Sequence, residues 1–301
     1  MNHNHIKNLI NLGYLVDESI VKLIENIDED NFYKLVEGIK KENSFMITNE
    51  LVKKILVRDV GITKEFTPHK KFTVQDFVKN LNEKYNALQS ILLKRLEFSD
   101  LISINKISSG NVSVIGFVKD KTENGDNFIT NLEDPTGVVQ TVITKPLGEK
   151  LSLDDVVAVS GRMNNKILFA DKIIYPDVPL RPVNYASENV KIAFLEENKD
   201  CKADYVFFKN KIKDNIKDKI YSIKNPCLIE ISGILILIMP GFNPLETLRK
   251  RYVNIENTDF IIDPVPDIIF TDKDVNINYK GITIVSLNKM IDLKTREINV
   301  I

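Results

Sequence analysis

Histidine is scarce in this 301-residue chain: His3, His5 and His69 are the three, all within its first quarter. Chemistry that needs several imidazoles, as metal ligands or general bases, has no source of them beyond residue 69. Cysteine is scarcer. Cys201 and Cys227 are too few for a disulfide framework and fit a reducing interior. An excess of either charge is also lacking, with 41 Lys+Arg against 42 Asp+Glu and a formal net charge of -1. That balance excludes retention on nucleic acid by bulk electrostatics, so any such contact has to come from a local patch or a partner. The longest apolar run, ILILIM at 234–239, falls far short of the ~20 residues that span a bilayer. The opening MNHNHIKNLI carries no basic-then-apolar signal pattern. A soluble protein of the cytoplasm, without a membrane partner, is the expectation.

What is present is enough apolar material, 43% of residues, for two or three domains with real cores. Up to residue 60 the apolar residues recur at helical spacing, as Ile6, Leu9 and Ile10, then Ile20, Leu23, Ile24 and Ile27, then Phe32, Leu35, Val36 and Ile39. Asp17, Asp30 or Asn31, and Thr48 stand where N-caps belong. This predicts a helical module over 1–60, with Leu9, Leu12, Leu15, Ile20 and Leu23 as its own core. Residues 61–73, GITKEFTPHKKFT, lack periodicity and read as a linker. Thr73 then caps one long helix within 74–100, with Phe77, Leu81, Leu88, Ile91, Leu92 and Leu93 on its apolar side.

From Ile102 the period changes to two. Val112, Val114 and Phe117 mark one strand, and turns follow at Asn124-Gly125 and Asp134–Gly137. Further strands lie at Phe128–Leu132 and Val138–Ile143, and DVVAVSGRMNNKILFADKIIYP supplies two more. Five short strands with Gly116 and Gly161 inside them suggest a small coiled barrel, of OB type or another five-stranded kind. YPDVPLRP breaks regular structure, and beyond it apolar strands alternate with polar segments around one clear helix near Leu245–Tyr252. Strands that apolar are normally covered on both faces by helices, and few helices are available here.

The order of these parts resembles the small subunit of the archaeal family D DNA polymerase, a family that includes the B subunits of the eukaryotic replicative polymerases. The segments that carry the resemblance are NALQSILLKRL before the barrel, VSVIGFVKDK and LEDPTGVVQTVI within it, and FADKIIYPDVPL at its exit. In the last third they are IKNPCLIEISGILILIMPG, LETLRKRYV, DFIIDPVPDIIF, NYKGITIV and IDLKTREINVI. The resemblance implies an α+β multidomain chain: the helical module, the linker, the lead-in helix, an OB-fold barrel over 101–182, and a β-sandwich over 183–301 of the calcineurin-like phosphodiesterase type. In active members that last domain is a 3′–5′ exonuclease whose two metal ions clamp the phosphate and generate hydroxide.

Each ligand motif of the active family is altered here. Glu197 stands where the first Asp should be and Lys199 where its His should be. Asn210 and Lys211 replace a Gly-Asp, and no Gly-Asn-His-Asp occurs between Lys211 and Asn225. Pro240-Gly241 replaces a His-Gly, and Asp272-Lys273-Asp274-Val275 replaces Gly-His-x-His, so Lys273 and Val275 take the histidine positions. Ammonium groups do not ligate hard cations at neutral pH, and the domain is also shortened between Pro182 and Asn225. The resemblance therefore implies a non-catalytic subunit, without metal or other cofactor, that braces a large catalytic polymerase subunit and meets DNA directly or through the complex. The alternative is a free-standing paralogue acting as an OB-fold single-stranded DNA-binding or regulatory protein. Lys199, Lys211 and Lys273 either replace the lost metal charge or, as is commoner for lysine, lie on a solvated surface. Glu197, Asp214, Asp272 and Asp274 read as carboxylates of surface turns rather than as a Mg²⁺ site.

Candidate nucleic-acid contacts on the barrel are Lys119, Lys121, Phe128, Arg162 and Lys166, with Phe117 and Phe169 read as core. Arg249, Lys250 and Arg251 form the densest basic cluster, which either touches phosphates or, as the favoured reading, is a solvated helix face.

Overall fold

The computed structural model describes residues 4–25, 27, 29–42, 44–56, 60–66, 73–95, 101–197, 201–208, 220–222, 225–255 and 258–301. The chain divides into two compact units, one of residues 1–63 with 229–233 and one of residues 64–228 with 234–301.

In the first unit, helices Asn4–Asn11, Val21–Glu25, Glu29–Glu42 and Asn49–Leu56 surround a core of Leu9, Ile20, Ile24, Phe32, Leu35, Ile39, Ile47 and Val52. Asp17 accepts a hydrogen bond from the Ser19 N–H at 2.9 Å, and Thr48 accepts one from the Leu51 N–H at 3.3 Å, as N-caps should. The helix expected to start after Asp30 or Asn31 begins at Glu29 instead. Leu12 and Leu15, expected in the core, are exposed. The first helix ends at Asn11 and Gly13 turns the chain at φ +87, so neither leucine continues the helical period. Leu15 belongs to a two-residue strand paired in parallel with Met46–Ile47, where its neighbour Val16 packs on the core. The side chain of Leu23 lies outside the described residues. Residues Gly61–Glu65, expected as linker, form a strand. Its side chains are largely exposed, which is why no apolar alternation betrayed it.

The second unit contains the long helix Val74–Leu93, capped by a reciprocal box in which Thr73 and Asp76 each bond the other's backbone N–H. The barrel strands are neighbours in the order Gly110–Val118, Val156–Asn164, Ile167–Ile174, Gly137–Thr144 and Asn127–Asp134. The last closes on the first through Phe117–Glu133 and Val118–Leu132. Val112, Val114, Leu132, Val139, Ile143, Val157, Val159 and Leu168 fill the interior, as the period-two pattern dictates. At Ser160/Gly161 the register shifts, and there Gly161 lies so close to the Phe169 carbonyl that a Cβ would sit 2.0 Å from its oxygen.

Beyond the barrel stand two sheets. In one, Lys191–Leu195 pairs in parallel with Tyr205–Phe208 and antiparallel with Lys289–Asp292. In the other, Ile234–Ile238, Ile268–Thr271 and Ile282–Ser286 run parallel, with Ile277–Tyr279 antiparallel at the edge. The rings of Phe194 and Phe270, one from each sheet, meet at 5.7 Å between centroids. The crossover from Ile238 to Ile268 carries the helix Pro244–Lys250 and the hairpin Tyr252–Ile255/Thr258–Ile261. The unit is thus mixed α+β with few helices and a five-stranded barrel compatible with an OB fold.

Close backbone contact makes a testable contrast among the glycines. Gly161→Ala should cost about 2–4 kcal/mol in urea unfolding, because backbone rather than a flexible side chain must yield. Gly125→Ala, at φ +57 with nothing within 4 Å, should cost only about 1 kcal/mol.

Candidate functional site

Parallel strands Ile234–Ile238 and Ile268–Thr271 bring the Pro240-Gly241 and Asp272-Lys273 positions together at their carboxyl ends. The Gly241 N–H donates to Asp272 Oδ1 at 2.8 Å, and Asn225 Nδ2 donates to the Pro240 carbonyl at 2.9 Å. The Lys273 N–H donates to Thr271 Oγ1 at 3.2 Å. Asp272 thus clasps the neighbouring loop through Oδ1. Lys273, Asp274 and Glu197 are exposed, and Val275 packs against the apolar core. Lys199, Asn210, Lys211 and Asp214 lie outside the described residues. Among the described residues no group of three or more His, Cys, Asp or Glu could hold a metal ion. Among the described strand-end positions, Pro240 offers no side-chain ligand and Lys273 offers an ammonium, and neither is a ligand of the two-metal centre that the resemblance implies for active members.

The barrel candidates are mostly tied down. Lys119 pairs with Glu133 at 3.0 Å. Lys121 donates to the carbonyls of Gly148 and Leu151 at 2.7 and 2.8 Å and lies 4.0 Å above the Phe128 ring. Lys121 and Phe128 thus clamp the barrel's own 145–151 turn. Arg162 and Lys166 are exposed, the latter in a hairpin turn at φ +65. Phe169, read as core, is 44% exposed. Its neighbour Leu168 takes the inward position, so Phe169 faces out opposite Arg162 on the adjoining strand. Phe117 is half-buried beneath the long helix, 5.4 Å from the Tyr85 ring, rather than inside the barrel.

The basic run is not a solvated helix face. Lys250, 10% exposed, pairs with Asp155 at 3.1 Å and Glu246 at 2.8 Å. Arg249 donates to the Lys150 carbonyl at 3.2 Å and stacks 4.8 Å from Tyr175. Arg251 is buried and donates through Nε to the Ile262 carbonyl at 2.7 Å. The helix is two turns long and ends at Arg251 in a left-handed C-cap, which folds that side chain back onto the following hairpin.

The centre of this arrangement was not singled out from sequence. Asp155, 1% exposed, receives Lys250 and the Tyr252 hydroxyl at 3.1 Å each. Burial pushes its carboxyl above the ordinary range, opposed by the Lys250 ammonium. Lys84, also 1% exposed, reaches Asp259 at 3.5 Å and lies 3.5 Å above the Tyr252 ring. Burial pushes its ammonium below its usual value, opposed chiefly by Asp259. Burial likewise drives the Tyr252 phenol well above its usual range. The one available signal was Lys84 itself, one helical turn after Leu81 and next to Tyr85, where an apolar face was beginning. The cluster joins barrel, long helix and C-terminal sheets; its chemistry is that of fastening.

The fold and these sites define a mixed α+β protein whose barrel is fastened to a sheet-rich domain. No family model matches the chain. Curated relatives do. It is 32% identical to the DNA polymerase II small subunit of Archaeoglobus fulgidus over 127 residues, covering 41% of this chain and 26% of that protein. With the Methanothermobacter thermautotrophicus small subunit it shares 31% over 133 residues, 41% and 27% of the two chains. With that of Pyrococcus abyssi it shares 33% over 117 residues, 36% and 19%. The matched part thus spans about a quarter or less of each relative's length. Over that span the resemblance to archaeal family D polymerase small subunits stands. No described helix is long and apolar enough to cross a membrane.

Lys250→Met should cost about 3–5 kcal/mol, because it leaves Asp155 buried without its cation. Adding Asp155→Leu should return most of that loss, whereas Lys166→Met should stay within about 0.5 kcal/mol. Urea denaturation of the three variants checks this; a mild Lys250→Met would refute the fastening.

Proposed function

We propose that the chain is a non-catalytic accessory subunit of a family D-type replicative DNA polymerase, serving DNA replication by bracing the large catalytic subunit. The observation that carries this reading is its similarity to the three archaeal small subunits. The C-terminal sheets are read as a shortened calcineurin-like phosphodiesterase domain that has lost its chemistry. Two features support the loss: Asp272 is held by the Gly241 N–H, and Pro240 offers no side-chain donor. DNA is met through the complex in this reading, since Lys121 is engaged within the barrel. One observation favours the alternative, a single-stranded DNA-binding paralogue: Phe169 stands outward beside Arg162, a stacking surface with a cation.

Co-expression with the polymerase large subunit should yield a complex that survives gel filtration at low salt, and failure to co-elute would defeat the accessory-subunit reading. The isolated chain should show no 3′–5′ exonuclease activity with Mn²⁺. Robust activity abolished by a chelator would show that the metal chemistry persists.

A further inference from the structure

The helical module leaves an apolar groove open to solvent between its helices Asn4–Asn11 and Glu29–Glu42. Its volume is about 460 Å³, with His5, Asn8 and Leu12 along one wall and Phe32, Tyr33 and Val36 along the other. His5 and Phe32 are both buried, and their rings stack at 4.2 Å between centroids to form the floor. Leu12 and Tyr33, on the rim, are 53% and 69% exposed. Contiguous apolar surface of this kind marks a place of association.

The longer helix indicates what fits there. Glu29, Tyr33, Val36 and Lys40 follow one another at steps of four, three and four residues, which sets them in one stripe along its surface. Glu29, Tyr33 and Lys40 are exposed, and Val36 is half-buried. The stripe reads acid, aromatic, aliphatic, base. Turned end for end about its midpoint, it becomes its own complement. Glu29 then faces Lys40 of a second copy, Tyr33 faces Val36, and a two-fold axis makes each contact twice. An antiparallel pair also opposes the two helix macrodipoles, whereas a parallel pair would set Glu29 against Glu29 and Lys40 against Lys40.

We propose that the chain pairs with a second copy of itself through the helix Glu29–Glu42, packed antiparallel, with each Tyr33 ring lying in the other copy's groove. Exposed ion pairs contribute little energy. The apolar contacts of Tyr33, Val36 and Leu12 therefore hold the pair, and the charges fix its direction and register. The pairing concerns the helical module and does not rest on the accessory-subunit reading.

Sedimentation velocity of the full chain, from about 1 to about 200 μM where small interfaces associate, is the test. Wild type should pass reversibly from monomer to dimer across that range. Lys40→Glu and Glu29→Lys each set like charges opposite one another, and each should weaken self-association by about tenfold. Tyr33→Ala should weaken it as much. Mixing Lys40→Glu chains with Glu29→Lys chains restores opposite charges at both contacts. The mixture should therefore dimerise where neither variant does alone, an outcome that a general loss of structure cannot produce. Circular dichroism establishes that each variant is folded. If Glu29→Lys, at the helix N-terminus, is not, Lys40→Glu and Tyr33→Ala carry the test. A wild type that stays monomeric throughout would overturn the pairing and leave the groove to a different protein. A dimer that neither Lys40→Glu nor Tyr33→Ala weakens, or folded variants that stay apart when mixed, would overturn it as well.

Discussion

A carboxylate that is 1% exposed has to be answered by its surroundings, and Asp155 at the start of a barrel strand is answered by Lys250 and Tyr252. Those two residues flank the turn between the helix Pro244–Lys250 and the hairpin that follows it. One buried negative charge thereby dictates where that crossover lies against the barrel. Lys84 adds the long helix, since its ammonium rests on the Tyr252 ring and reaches Asp259 of the same hairpin. Buried ion pairs contribute little net stability over apolar packing of the same volume, but they penalise every arrangement that separates the partners. The cluster specifies an orientation more than it deepens a minimum.

The same economy governs the strand-end loops. Here Gly241, Asp272, Asn225 and Pro240 hold one another through direct hydrogen bonds.

Much of the fold is legible in the sequence. The barrel strands followed from alternation, and the Thr73 cap from its position before an apolar stripe. The misreadings share a cause. Leu15 and Phe169 are apolar residues that local pattern assigned inward, yet a two-residue strand and the inward Leu168 turned them out. Gly61–Glu65 escaped notice because an exposed strand carries no apolar period. Arg249, Lys250 and Arg251 looked like a wet surface because charge in a row reads as solvation until its partners are known.

By itself, then, the sequence determined what short-range physics determines: the periods of helices and strands, the caps, and the want of imidazole beyond residue 69. Only the tertiary structure decided which charges are structural. Lys250 and Asp155 are 95 positions apart, and Lys84 and Asp259 are 175 apart. Whether an ammonium is solvated or buried depends on what the folded chain sets beside it, and no window of neighbouring residues contains that information.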